Sequence, residues 1–212
     1  MKTLLHVGCG TSTIRNLPSF FHDGTWDEIR YDINPDVQPD IVGELQDMSL
    51  LEDGSVDAIY SSHNVEHVWE FEVQGVLAEF RRVLKSNGFA LILCPDIMSV
   101  AQAITKGRLE GTLYESPVGP ITAVDVLYGY QSDISKGNIF MAHKMAFTAD
   151  TLGRHLLQAN FSGAVIARDK MYGLHAVAFP AMWGDDRADK LTRALYPPMD
   201  YIIEVDRYGA QQ

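Results

Sequence analysis

The chain has 212 residues, 46% of them hydrophobic and 21% charged, the balance of a folded protein with one substantial core rather than a disordered chain. Its formal net charge of −11 at pH 7 argues against the clustered basic surface that nucleic-acid binding requires, and the short basic run Arg81-Arg82 with Lys85 reads as a solvated helix face. No stretch approaches the roughly 20 apolar residues of a membrane span, the apolar run after Met1 is interrupted at His6 and Gly8, and two cysteines, Cys9 and Cys94, imply no disulfide framework, so a reducing cytoplasm is the expected location.

Taken in order, the chain begins with an apolar strand near 3–7 that runs directly into Gly8-Cys9-Gly10. Paired glycines supply a tight turn and let a ligand approach backbone with no Cβ in the way. A dinucleotide turn would need a third glycine where Thr13 stands, which disfavours NAD and FAD. A sulfonium ligand needs the turn but not the pyrophosphate approach, and S-adenosylmethionine fits that description. A helix is expected near 13–21, then a second strand near 26–31 that ends in Asp32, 22 positions after Gly10, where an acid accepts from ribose hydroxyls. Further strands are expected near 39–42, 56–61 and 89–94, with helices near 72–85, 97–106 and 148–159 and two closing strands near 163–168 and 173–179. This alternation predicts an α/β fold: a Rossmann-like, doubly wound, mostly parallel seven-stranded sheet with helices on both faces. Residues 107–147 are broken by repeated Gly and Pro and are expected to form an irregular but ordered inserted lid. Domain limits of 1–183 follow, with 184–212 a polar tail carrying one short helix.

Five segments make the chain resemble the class I S-adenosylmethionine-dependent methyltransferases, and among them the type-11-like methyltransferase domain proteins. They are His6 to Gly10, Tyr31 to Pro35, Asp40 to Met48, Asp53 to Tyr60, and the passage from Glu79 to Phe89. The resemblance implies that Gly8, Cys9 and Gly10 face the methionine end of S-adenosylmethionine and that Asp32, with Ile33 and Asn34, binds the ribose. It also implies that Gln46, Asp47 and Met48 flank the adenine, Asp47 accepting from the exocyclic amine and Met48 packing on the ring, and that Ser62 and His63 complete the cofactor set. S-adenosylhomocysteine would be the product.

The pentad His63-Asn64-Val65-Glu66-His67 matches H-x-x-E-H, which on a helix brings two histidines together on zinc. It follows a strand at the carboxyl edge of the expected sheet, so the preferred reading assigns no metal and makes His67 or His63 a general base with Glu66 beside it, or else a brace for the pocket. His143, Tyr128 and Tyr130 in the insertion are acceptor-contact candidates, with plain packing as their alternative. The expected activity is methyl transfer to a small-molecule or glycan acceptor, with no nucleic-acid or membrane partner and a homodimer left open. The alternatives are a cofactor-binding module without catalysis and a zinc hydrolase built on His63, Glu66 and His67.

Overall fold

In the first strand, β1 (Lys2–Val7), every residue from Leu4 to Val7 is buried, the continuous burial that a central parallel strand requires. The computed structural model describes residues 1–182, 185–195 and 201–206. β1 pairs in parallel with β2 (Trp26–Asp32) on one side and β4 (Val56–Ser62) on the other. The sheet continues outward from β2 to β3 (Ile41–Val42) and from β4 to β5 (Leu84–Pro95), again in parallel. Hairpin β6 (Thr112–Ser116) and β7 (Gly119–Thr122) stands apart from it. Beyond β5 come β9 (Gly173–Phe179), β8 (Gly163–Arg168) and β10 (Tyr201–Asp206), each antiparallel to its neighbour. The strand order is β10-β8-β9-β5-β4-β1-β2-β3, so connections lead away in opposite directions from β1, and a crevice opens at the carboxyl ends of β1 and β4.

Successive residues of a strand face opposite sides, and Leu4 and Leu5 accordingly enter two different cores. Leu5, Val7, Ile59 and Ile92 pack under α1 (Glu70–Val83) and α5 (Ala149–Gln158), whose apolar residues Val73, Val76, Leu77 and Phe80, and Leu152 and Leu156, form stripes of helical spacing. Leu4, Trp26, Phe89 and Val177 pack on the other face with Phe21 and with Leu191 and Leu195 of α6 (Asp185–Leu195). A third, smaller core joins Val100 of α2 (Ile97–Thr105) to Ile121, Ala123 and Val126 of the insertion.

The seven expected strands and the mostly parallel sheet are present, with differences that have physical reasons. The helix expected near 13–21 is replaced by two short 3₁₀ turns, Ile14–Asn16 and Ser19–His22. Pro18 has no amide to donate and drives Leu17 into extended backbone (φ −82°, ψ 171°). β3 shrinks to two residues because Pro39 cannot donate to a ladder, and the Asp40 carboxylate instead accepts from the Arg30 amide at 2.7 Å. The insertion is more regular than expected: the β6–β7 hairpin is followed by α3 (Ala123–Tyr128), capped by Thr122 and Asp125, and by α4 (Gln131–Ile134). Beyond residue 184 the expected short helix is joined by an eighth strand, β10, against β8. Residues 183–184, 196–200 and 207–212 of the expected tail region lie outside the described residues.

Candidate active site

β1 ends at the glycine turn. Gly8 (φ +58°) and Gly10 (φ +51°) both occupy the left-handed region, where a Cβ costs about 1–2 kcal/mol. A Cβ on Gly8 would come within 1.8 Å of Asn64 Oδ1, whereas one on Gly10 would meet nothing within 4 Å, so open space lies over the second glycine. Cys9 between them is buried, and burial pushes its thiol up to about 11, which leaves it unreactive.

Three residues of β2 hold this turn, and sequence reasoning found only one. Glu28, Arg30 and Asp32 stand two apart and so share one face of the strand. Asp32, 9% exposed, accepts from the Gly10 amide at 2.8 Å through Oδ2 and from the Asn34 amide at 2.9 Å through Oδ1. The Arg30 guanidinium donates to the carbonyls of Gly10 (2.6 Å), Ser12 (3.1 Å), Gln38 (2.7 Å) and Val37 (3.2 Å), joining the glycine turn to the turn after β2. Glu28 accepts from the Ile14 amide at 2.8 Å and pairs with buried His6 at 2.7 Å. The alternating charges of Glu28, Arg30 and Asp32 along one face of β2 were the available signal. Ile33, the next residue, is an exposed apolar side chain, 45% accessible, and Asn34 turns back to accept from the Asp36 amide.

The segment expected around an adenine is divided by the fold. Gln46 is partly buried, and the exposed Asp47 takes the Ser49 amide on Oδ1. Met48, by contrast, is fully buried in the core, its amide bound to Glu79 and its carbonyl to Arg82. The expectation that Met48 packs on the adenine is therefore corrected: the core under α1 takes that side chain. Tyr31 reinforces the same segment, its hydroxyl donating to the carbonyls of Glu44 and Asp47, and burial pushes the phenol up to about 12.

β4 ends in Ser61 and Ser62, and the chain then turns sharply. Asn64 donates through Nδ2 to the carbonyls of Val7 (2.9 Å) and Ser62 (3.1 Å), tying the two strand ends across the crevice. His63 sits at φ +55°, a left-handed backbone unusual for a residue other than glycine. Its Nδ1 lies 3.1 Å from Glu66 Oε1, and 56% of its side chain is exposed. Burial works to lower the His63 imidazole, but the Glu66 carboxylate outweighs it and the net direction is upward. Glu66 is 1% exposed. Burial works to raise its carboxyl, yet the hydrogen bond and charge of His63 carry it below the usual range, with His67 and His143 adding to the effect.

Residues 65–67 form one 3₁₀ turn instead of the helix that an H-x-x-E-H zinc site needs, and His63 lies outside that turn. The two histidines of the pentad therefore do not line up one helical turn apart, and the metal geometry expected from the motif is not formed. The insertion supplies a different partner. The amides of Lys144 and Met145 both donate to the Glu66 carbonyl (2.8 and 3.1 Å), placing His143 edge-on to His67 with ring centroids 4.9 Å apart. His67 Nδ1 lies 3.1 Å from the Ala142 carbonyl and His143 Nδ1 lies 2.7 Å from the Val126 carbonyl. A carbonyl only accepts, so both Nδ1 atoms carry a proton, and in the neutral imidazole each Nε2 keeps a lone pair. Burial lowers the His143 imidazole.

The two tyrosines separate. Tyr128 is 62% exposed at the end of α3. Tyr130 packs into the small core of the insertion and its hydroxyl donates to the Val118 carbonyl at 2.8 Å, so its expected place in the acceptor pocket is corrected to a structural one. A separate cleft of about 230 Å³ is lined by Lys106, Arg108, Asp169, Lys170 and Tyr172 among others, and by none of the residues above. Among the described residues no helix is long and apolar enough to cross a membrane.

Residues 5–92 match the methyltransferase domain family, type 11. No curated protein matches the chain. Among solved structures, the chain is similar to the PH0226 protein from Pyrococcus horikoshii OT3 (15% identity, 84% of this chain and 82% of that one, TM-score 0.59). It is also similar to an S-adenosylmethionine-dependent methyltransferase from Methanosarcina mazei (17% identity, 86% and 93%, TM-score 0.55). A third is the 1,6-didemethyltoxoflavin-N1-methyltransferase of Burkholderia thailandensis, solved with 1,6-didemethyltoxoflavin and S-adenosylhomocysteine (12% identity, 85% and 72%, TM-score 0.54). The family match runs from the glycine turn through Asp32 and the His63 turn into β5, so residues 5–92 are similar to the type-11 methyltransferase domain, and the solved structures share the fold of the chain as a whole.

Proposed function

We propose that the protein is an active methyltransferase that moves a methyl group from S-adenosylmethionine to an oxygen or nitrogen of a small-molecule or sugar-containing acceptor. The observation that carries this reading is that the glycine turn and an exposed histidine backed by a buried carboxylate share one strand edge, bridged by Asn64. The residues suit the cofactor: Gly10 leaves space for a ligand against backbone, Asp32 keeps lone pairs for ribose hydroxyls, and exposed Ile33 offers an apolar face to an adenine. When bound, the cofactor supplies an electrophilic sulfonium methyl.

The protein's own groups prepare the acceptor. Glu66 accepts from His63 Nδ1–H and so directs the Nε2 lone pair outward, an arrangement in which a carboxylate orients an imidazole base. His63 then takes the acceptor's proton, and the exposed Tyr128 is a candidate aromatic wall for the acceptor. We assign the base to His63 rather than His67, a choice supported by the Glu66 carboxylate that holds His63 Nδ1 and by the exposure of its imidazole.

His63→Ala tests the assignment. Affinity for S-adenosylhomocysteine by calorimetry should stay within about twofold, while kcat with a responsive acceptor falls roughly 10²–10⁴-fold, the usual contribution of a general base. Unchanged turnover removes His63 from the chemistry. Absence of S-adenosylhomocysteine binding by the unaltered protein defeats the methyltransferase reading and leaves the fold as a scaffold.

A further inference from the structure

Glu66 Oε2 is buried and has no hydrogen-bond partner, while Oε1 is taken by His63. Leaving a buried carboxylate oxygen unpaired is costly unless something else neutralises it. His67 and His143 are at hand, and among the described residues they form with Glu66 a group that offers one ligand atom from each residue, these atoms lying within 4.8 Å of one another. With each Nδ1–H engaged by a backbone carbonyl, a neutral His67 or His143 presents its Nε2 lone pair and has no proton to give Oε2. In that form a buried carboxylate oxygen and two imidazole lone pairs are gathered in one small group, an arrangement that repels itself unless a cation, a proton or a metal ion, sits among them.

We propose that Glu66 Oε2, His67 Nε2 and His143 Nε2 bind a divalent transition-metal ion, zinc or a neighbour in the first row. Two imidazoles and one carboxylate suit such an ion. Carbonyls on both Nδ1–H groups and His63 on the far carboxylate oxygen are the outer partners that orient ligands of this kind. An ion about 2.1 Å from each donor sets tetrahedral ligands about 3.4 Å apart, which the group reaches through side-chain rotation of roughly an ångström. His67 and His143 are each only partly buried, so the ion keeps an open position toward the crevice. On the methyltransferase reading above, an acceptor hydroxyl would take that position beside His63.

The test uses the chelator-stripped full chain. Titration with Zn²⁺ should give one ion per chain, and Co²⁺ should give a visible d–d band at the same stoichiometry. His143→Ala and Glu66→Gln should each weaken both by about 100-fold or more, while His22→Ala, at an exposed histidine away from the group, should change neither. S-adenosylhomocysteine binding is measured on the same samples: retention of it by His143→Ala shows that the variant is folded and that the ion and the cofactor sites are separable. Adding catechol, a bidentate oxygen probe, to the Co²⁺ protein should shift the band. No stoichiometric ion in the unaltered protein, or binding that survives both ligand variants, overturns the site; an unshifted band overturns only its open position. Cofactor binding without metal binding rejects this inference and leaves the methyltransferase reading intact, and the converse result does the reverse.

Discussion

The two edges of the site are built in different ways. On the cofactor edge, two adjacent strands do most of the work: β1 runs into its own glycine turn, and Glu28, Arg30 and Asp32 of β2 hold that turn. On the acceptor edge, Glu66 and His67 meet His143, more than 70 positions away, through backbone hydrogen bonds from the insertion. The first edge is a local consequence of a parallel sheet, in which strand ends and their turns necessarily gather. The second depends on how residues 107–147 fold as a small core of their own on α2. It follows that the cofactor edge should survive damage to the insertion, and that the acceptor edge should not.

The largest effect is expected at Gly129, which ends α3 at φ +93° and where a Cβ would lie 1.8 Å from the Met141 carbonyl. The obstacle is backbone and cannot rotate away, so Gly129→Ala should cost about 3 kcal/mol of local stability. Hydrogen exchange should rise across the insertion and ion binding at His143 should be lost, with S-adenosylhomocysteine affinity within about twofold of the parent. A comparable fall in cofactor affinity would show that the edges are not independent. Gly8→Ala is the counterpart on the other edge. Its obstacle is the Asn64 side chain, which can turn only by losing its bonds to Val7 and Ser62. A cost of about 2–3 kcal/mol by thermal melting is expected, together with loss of cofactor binding. Gly10→Ala, with open space, should cost only the left-handed backbone term of about 1–2 kcal/mol in stability.

Arg30→Met removes the bonds to four loop carbonyls while touching no ligand group. A loss of about 2 kcal/mol is expected in denaturant unfolding, with weaker cofactor binding because the glycine turn is freed; unaltered binding would mean that Asp32 alone positions the turn. The smallest effect belongs to Asp57, far from either edge. Burial works to raise its carboxyl, yet hydrogen bonds from Lys85 and the Thr3 amide bring it below the ordinary 3.8. A carboxyl whose pKa is depressed on folding contributes stability that is present above its unfolded value and is lost as pH falls through its folded one. Asp57→Asn should therefore cost at most about 1 kcal/mol at pH 7, since the pair is partly exposed, and the difference from the parent should begin to shrink as pH falls below about 3.8 and disappear only below the lower folded value. Paired urea melts at pH 7 and pH 3 measure it.

Much of this architecture was legible before any coordinates. The apolar runs at 3–7, 56–61 and 89–94 mark buried strands because a strand covered on both faces has no polar side to show. The two glycines followed by an acid 22 positions later locate the cofactor edge for the same topological reason. Where local reading failed, a longer-range contact decided: Pro18 blocked the first helix, the core under α1 claimed Met48, and the small core of the insertion claimed Tyr130. The pentad at 63–67 is the instructive case. Its spacing suggests a helix with paired histidines, but the chain turns left-handed at His63 and makes only one 3₁₀ turn, so His67 finds its partner in another segment.

By itself, then, the sequence determined the parallel sheet, its two apolar faces, the glycine turn and Asp32, since each follows from periodicity or from the conformational range of a single residue type. Only the tertiary structure decided that Arg30 and Glu28 brace the turn, that Glu66 is buried with one oxygen unpaired, and that His143 closes on it. Those features arise where segments distant in the chain pack together, and side-chain burial and tautomer are set there by neighbours that no local pattern names.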